Sequence, residues 1–242
     1  MAEQQRDVIE IDEITGVDVA TVLKTLPDMG KVMVIARTER GVTHERIGPV
    51  ETVVEAAGGI RLSGVCHDSV VDPCAIVKMH IDRSSVMRDK VFPSLKFSDA
   101  AGEVMFSIVG MEGTEPMDQA LSGFTSRPQE EVKVNRVGPV IDRGTAPEIP
   151  DTDAAMVLFN QLATLGDEAT ITAQTPSLTQ VWRGQIESVK PAMGFVNVMT
   201  ADFHLHLKAG GIASWKEEPG QRIALDAEGL PCGLTVQAPG LS

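Results

Sequence analysis

The pattern of apolar and polar positions runs through the same course twice. Residues 18–26 place Val19, Val22, Leu23 and Leu26 at helical spacing, and Pro27, Asp28 and Gly30 close the segment. Further on, Thr152 or Asp153 can cap a second helix through Met156, Val157, Phe159, Leu162 and Leu165 to Gly166. Each predicted helix leads into a β-like run, 32–36 in the first case and 170–173 in the second. Alternation then marks 50–54 and 186–189, and also 195–198 and 203–207. A strand at 94–98, the turn Asp99-Ala-Ala-Gly102 and a strand at 103–109 recur as 222–225, Asp226-Ala-Glu-Gly229 and 232–236. Glycine supplies the positive φ of each hairpin.

Four landmarks keep their order between the copies: Gly30 with Gly166, Gly48-Pro-Val-Glu51 with Gly184-Gln-Ile-Glu187, Lys78-Met-His80-Ile with His204-Leu-His206-Leu, and Asp99 with Asp226. A repeat this long is a duplicated domain rather than a solenoid unit. The predicted fold class is α+β in tandem duplication, each half an antiparallel β-sheet with packed helices. The halves are expected at 1–135 and 136–242, joined through a connector punctuated by Pro128, Pro139, Pro147 and Pro150, with short edge strands at 132–134 and 137–141. An apolar sheet face needs a cover, so the halves should pack sheet against sheet.

Composition narrows the function classes. Hydrophobic content of 43% and charged content of 23% are those of an ordinary globular chain. A net charge of −13 argues against nucleic acid as a partner and against adsorption to anionic membrane. No apolar run approaches the roughly 18 residues of a spanning helix, so no membrane insertion is expected. The acidic start MAEQQRDVIEIDE lacks the apolar core of a secretory signal, and the expected location is cytoplasmic. Three cysteines set no disulfide framework.

Phosphate loop, nucleophile elbow, H-E-x-x-H and C-x-x-C are all absent from the sequence. His204 and His206 share one face of a predicted strand, from which they could ligate a metal; plain alternation turns Phe203, Leu205 and Leu207 inward and both histidines outward. Cys66, His67, Cys74 and His80 lack the tight cysteine pair that marks structural zinc. Arg37-Thr-Glu-Arg40 and His44-Glu-Arg46 form a mixed-charge hairpin end, either a solvated turn or an anion site.

The order of these motifs resembles the HemS-like haemin transport and degradation family over about residues 17–238, in a shortened form. Gly30-Lys-Val-Met-Val-Ile-Ala-Arg37, Val42-Thr-His44-Glu-Arg-Ile-Gly48-Pro-Val-Glu and Ser94-Leu-Lys-Phe-Ser-Asp99 are similar to its first half. Gln180-Val-Trp182-Arg183-Gly184-Gln-Ile-Glu187 stands where the family carries Q-I-H-T-G-P-V-E. Phe195-Val-Asn197 to Leu207 and Ile212-Ala-Ser214-Trp215 resemble its F-N-V-L-D-P-D-F-N-L-H-L and I-A-x-x-W.

The resemblance implies a haem-binding or haem-trafficking protein on a HemS/ChuX-like fold, its ligand haem or a similar small hydrophobic anion. Two departures stand out. The family's axial histidine position holds Trp182, whose indole offers an N–H and no lone pair to iron. The family's V-R-K-P-T is replaced by Lys216-Glu-Glu-Pro219. The cofactor-binding candidates are therefore Arg37, His44, Trp182, Arg183, His204 and His206, with His44, His204 and His206 leading as substitute iron ligands and Met199 and Cys66 as sulfur alternatives. Two other readings remain open: a haem-ring-opening enzyme, as some members are, and a binding or assembly module that has lost the cofactor.

Overall fold

A computed structural model describes residues 11–129 and 147–241. The strands are β1 (Ile11–Thr15), β2 (Lys31–Arg37), β3 (Val42–Pro49), β4 (Thr52–Ala56), β5 (Gly59–Gly64), β6 (His67–Val71), β7 (Lys78–Asp82), β8 (Val86–Met87), β9 (Lys90–Val91), β10 (Ser94–Ser98), β11 (Val104–Gly110) and β12 (Thr125–Pro128), then β13 (Glu168–Gln174), β14 (Leu178–Gln185), β15 (Val189–Ala192), β16 (Phe195–Met199), β17 (Phe203–Lys208), β18 (Ser214–Glu218), β19 (Gln221–Leu225) and β20 (Pro231–Gln237). The α-helices are α1 (Val19–Leu23), α2 (Glu115–Leu121) and α3 (Ala154–Leu165).

Both predicted helix starts hold, and so does the stop of α3, but α1 ends at Leu23, earlier than expected. Leu26–Asp28 form a separate 3-10 turn with Pro27 in its first turn, where a missing N–H costs nothing. Asp18 caps α1 by accepting from the Thr21 N–H, and Asp153 caps α3 by accepting from Ala155 and Met156. Gly166 ends α3 in the left-handed region at φ 69°, a conformation glycine adopts without a Cβ penalty. Val22, Leu23 and Leu26 in the first copy, and Met156, Phe159 and Leu162 in the second, are buried.

Two antiparallel sheets carry the fold, in the strand orders β12-β1-β7-β10-β11-β2-β3-β17-β16-β15 and β18-β19-β20-β13-β14-β6-β5-β4. The tandem duplication is written into these orders. β7-β10-β11-β2-β3 of the first copy matches β18-β19-β20-β13-β14 of the second, and β6-β5-β4 matches β17-β16-β15. The first copy keeps seven strands in the larger sheet, these five with β1 and β12, and the second keeps five in the smaller. Each lends three to the other, so neither sheet belongs to one half alone. The core divides likewise: one buried cluster gathers α1 with β2, β10 and β11, and the other gathers α3 with β13, β17 and β20. The boundary expected at 135/136 and the edge strands expected at 132–134 and 137–141 lie outside the described residues.

Three landmark pairs sit at equivalent places. Gly30 and Gly166 each have positive φ just before β2 and β13. Asp99 accepts from the N–H groups of Ala101 and Glu103, and Asp226 from those of Glu228 and Leu230, so the two turns are built alike. Gly48 and Gly184 both lie where a side chain crosses the strand: an added Cβ would meet Cys66 Cβ at 2.4 Å in one copy and the Trp182 ring at 2.5 Å in the other.

The fourth pair is corrected. β17, which carries His204 and His206, takes the position of β6, whereas β7, which carries His80, takes that of β18. Two strands of the form x-apolar-His-apolar are alike in a period-two pattern, and only the sheet order separates them. The extra length of the first copy lies between β7 and β10, where the ribbon β8-β9 stands.

Candidate functional site

Pairing across the larger sheet lines up two rows of side chains on its outer face, because directly opposed residues share a face. In the first row Ile35 opposes Glu45, Glu45 opposes His204, and His204 opposes Met199. In the second, Arg37 opposes Thr43, Thr43 opposes His206, His206 opposes Asn197, and Asn197 opposes Lys190. The predicted outward turn of both histidines is what the strand shows, with Phe203, Leu205 and Leu207 buried behind them.

Hydrogen bonds orient both rings. Asn197 Nδ2 donates to the carbonyls of Lys190, Ala192 and Phe195. That fixes its Oδ1 towards His206 Nδ1 at 2.6 Å, so Nδ1–H donates to it and Nε2 is the nitrogen turned towards Glu45. His204 Nδ1 lies 3.3 Å and His206 Nε2 3.7 Å from Glu45 Oε2. Burial opposes ionisation of Glu45, but the two imidazoles overcome it and bring the carboxyl down to about 2. Arg37, half-buried, is lowered by burial while Glu45 supports its charge.

The other candidates lie elsewhere. His44 is fully buried between the sheets, its Nδ1 3.1 Å from Gln180 Oε1 and its Nε2 3.4 Å from the Ile171 carbonyl. Burial pushes its imidazole down to about 4 against the pull of those two partners. Trp182 is 3% exposed and stacks on Phe203 with ring centroids 4.4 Å apart, and His44 packs on the same Phe203 at 4.8 Å. Arg183 stands on the outer face of the second sheet, in a cleft of about 430 Å³ that Arg46, Arg61 and Asp68 also line. There Asp68 accepts from Arg61 and Arg183, each at 2.8 Å.

That cleft is the counterpart of the histidine face. With His44 equivalent to Gln180, their partners Leu205 and Ser69 become equivalent, and so do His204 and Asp68. The same fold position thus holds imidazoles beside a carboxylate on one sheet and guanidiniums around a carboxylate on the other. Cys66, His67, Cys74 and His80 do not converge; among the described residues, the metal-ligand atoms of three side chains come together at Glu45, His204 and His206.

Sequence reading did not find Glu45 and Asn197. Alternation from His44 puts Glu45 on the opposite face, but its meeting with His204, 159 residues away, depends on the exchange of strands between copies.

Parts of the chain and its fold are similar to proteins of known description. Residues 13–124 match the family model described as Haem utilisation ChuX/HutX. No curated protein matches. The whole fold is similar to ChuS of Escherichia coli O157:H7, described as a heme degrading enzyme, with a TM-score of 0.72 at 15% identity over 95% of this chain and 81% of that one. It is also similar to apo-PhuS, a heme-binding protein from Pseudomonas aeruginosa, with a TM-score of 0.70 at 18% identity over 96% and 82%. At these identities the two structures establish the fold. Among the described residues no helix is long and apolar enough to cross a membrane.

Proposed function

We propose, taking the haem-utilisation match of residues 13–124 as the premise, that the protein binds haem for transfer within a haem-utilisation route. The observation that supports this reading most is the double row on the outer face. It offers two imidazoles with side chains 25% and 27% exposed, apolar Ile35 and Met199 beside them, and a cation at each end of the His206 row. Arg37 and Lys190 each stand two strands from His206, about 10 Å at the usual strand spacing. That separation suits a flat dianion whose metal sits at its centre and whose carboxylates lie at its rim.

In this reading one imidazole supplies the axial nitrogen and Arg37 or Lys190 pairs with a propionate. His204 has its Nδ1 facing Glu45, which leaves its Nε2 as the nitrogen for iron. His44 and Trp182 belong to the packing between the sheets and Arg183 to the opposite cleft, so they contribute no ligand. Haemin titration followed in the Soret band tests this. The wild type should give a saturable band that moves in His204→Ala or His206→Ala and is lost when both are changed. A wild type without any Soret change refutes the reading.

A further inference from the structure

A haem iron has four of its six positions filled by the porphyrin, and the two that remain point in opposite directions. One face of a haem can therefore accept one protein ligand. The outer face supplies three donors that converge from one side. His204 Nδ1 and His206 Nε2 lie 3.3 and 3.7 Å from the same Glu45 oxygen, and all three ligand atoms lie within 4.8 Å of one another. Donors at about 2.0–2.1 Å around a tetrahedral ion are separated by about 3.3–3.4 Å. Small rotations of the partly exposed rings close the remaining distance.

We propose that Glu45, His204 and His206 together hold one divalent transition-metal ion that is not in a porphyrin. Two imidazoles and one carboxylate with positions left open form the donor set that takes ferrous iron or zinc. The surroundings support coordination. Asn197 accepts from His206 Nδ1 and so turns Nε2 towards Glu45, and it is itself locked by three backbone carbonyls. Glu45 is 8% exposed, so its carboxylate is held in place before any ion arrives. The proposal does not depend on the haem reading. If both hold, ion and haem compete for the same imidazoles.

Cobalt(II) titration of chelator-treated protein, read by the visible d–d bands of the bound ion, is the test. The wild type should give a saturable spectrum of low-coordinate cobalt that zinc displaces. Glu45→Gln, which keeps shape and packing, should weaken binding at least tenfold, and His204→Ala and His206→Ala should do the same. Asn197→Ala should weaken it about tenfold, as loss of an orienting partner does. A wild type with no cobalt spectrum, or a spectrum unchanged in Glu45→Gln, overturns the proposal. Haemin titration of Glu45→Gln separates the two readings, because one axial imidazole suffices for a Soret band. Cobalt binding without haem binding sustains the ion site and refutes the haem reading; haem binding without cobalt binding does the reverse.

Discussion

His44 and Gln180 occupy the same place in the two copies and hydrogen-bond to each other, Nδ1 to Oε1, at 3.1 Å across 136 residues. Their second contacts are also equivalent. His44 Nε2 faces the Ile171 carbonyl, and Gln180 Nε2 donates to the Val34 carbonyl, the matching residue of the other copy. A near-twofold axis passes between these two side chains, at the centre of the packing between the sheets. Gln180→Leu should leave the imidazole without its partner and cost about 1–3 kcal/mol. Changing both residues to leucine should recover part of that, as urea unfolding can show.

The buried imidazole gives the fold an acid limb. Unfolded, His44 takes a proton near 6.5; folded, it resists until about 4. The unfolded chain then binds the extra proton, and stability should fall as pH drops from about 6.5 to about 4. The total is on the order of 3 kcal/mol. His44→Gln should flatten this window. Glu45 acts in the next one, because its carboxylate contribution is present above its usual 4.5 and is lost as pH falls towards about 2. Changing His204 and His206 together to alanine should weaken that second limb and leave the first.

Phe203 lies between His44 and Trp182, and all three rings are buried. Trp182→Ala should cost about 3–5 kcal/mol and remove the blue-shifted part of the tryptophan emission, leaving the half-buried Trp215. Trp182→His should not restore an iron ligand, since the new ring would face the core; its haemin spectrum should match the wild type.

Gly48→Ala and Gly166→Ala should differ sharply. Nothing lies within 4 Å of a Cβ at Gly166, so only the left-handed backbone resists, at about 1 kcal/mol. At Gly48 the new methyl would also meet Cys66 Cβ at 2.4 Å. That variant should lose more, and Cys66→Gly should return part of the loss. Thermal melts of the two single variants and the double variant decide it.

Much of this was legible in the sequence. Periodicity and capping residues located α3, the β10–β11 and β19–β20 hairpins and the outward turn of His204 and His206, because each is a local matter of spacing and backbone conformation. The exchange of β4–β6 for β15–β17 was not legible: strand pairing between copies leaves no local trace. The same gap produced the mistaken match of His80 with His206 and hid Glu45. His44 gave no local sign of burial either, since its core contacts with Gln180 and Phe203 come from the other copy.

The exchange of strands also makes the chain a dimer in one piece. A single copy would have an incomplete sheet and three strands without a bed, and two identical copies would complete each other only by association. Joined in one chain, the partners meet at a local concentration set by the connector, independent of how dilute the protein is. Fusion also lifts a constraint. A symmetric pair must carry the same residues on both outer faces, whereas here one face presents Glu45, His204 and His206 and its twin presents Arg61, Asp68 and Arg183. The two copies have been free to specialise because neither has to bind a replica of itself.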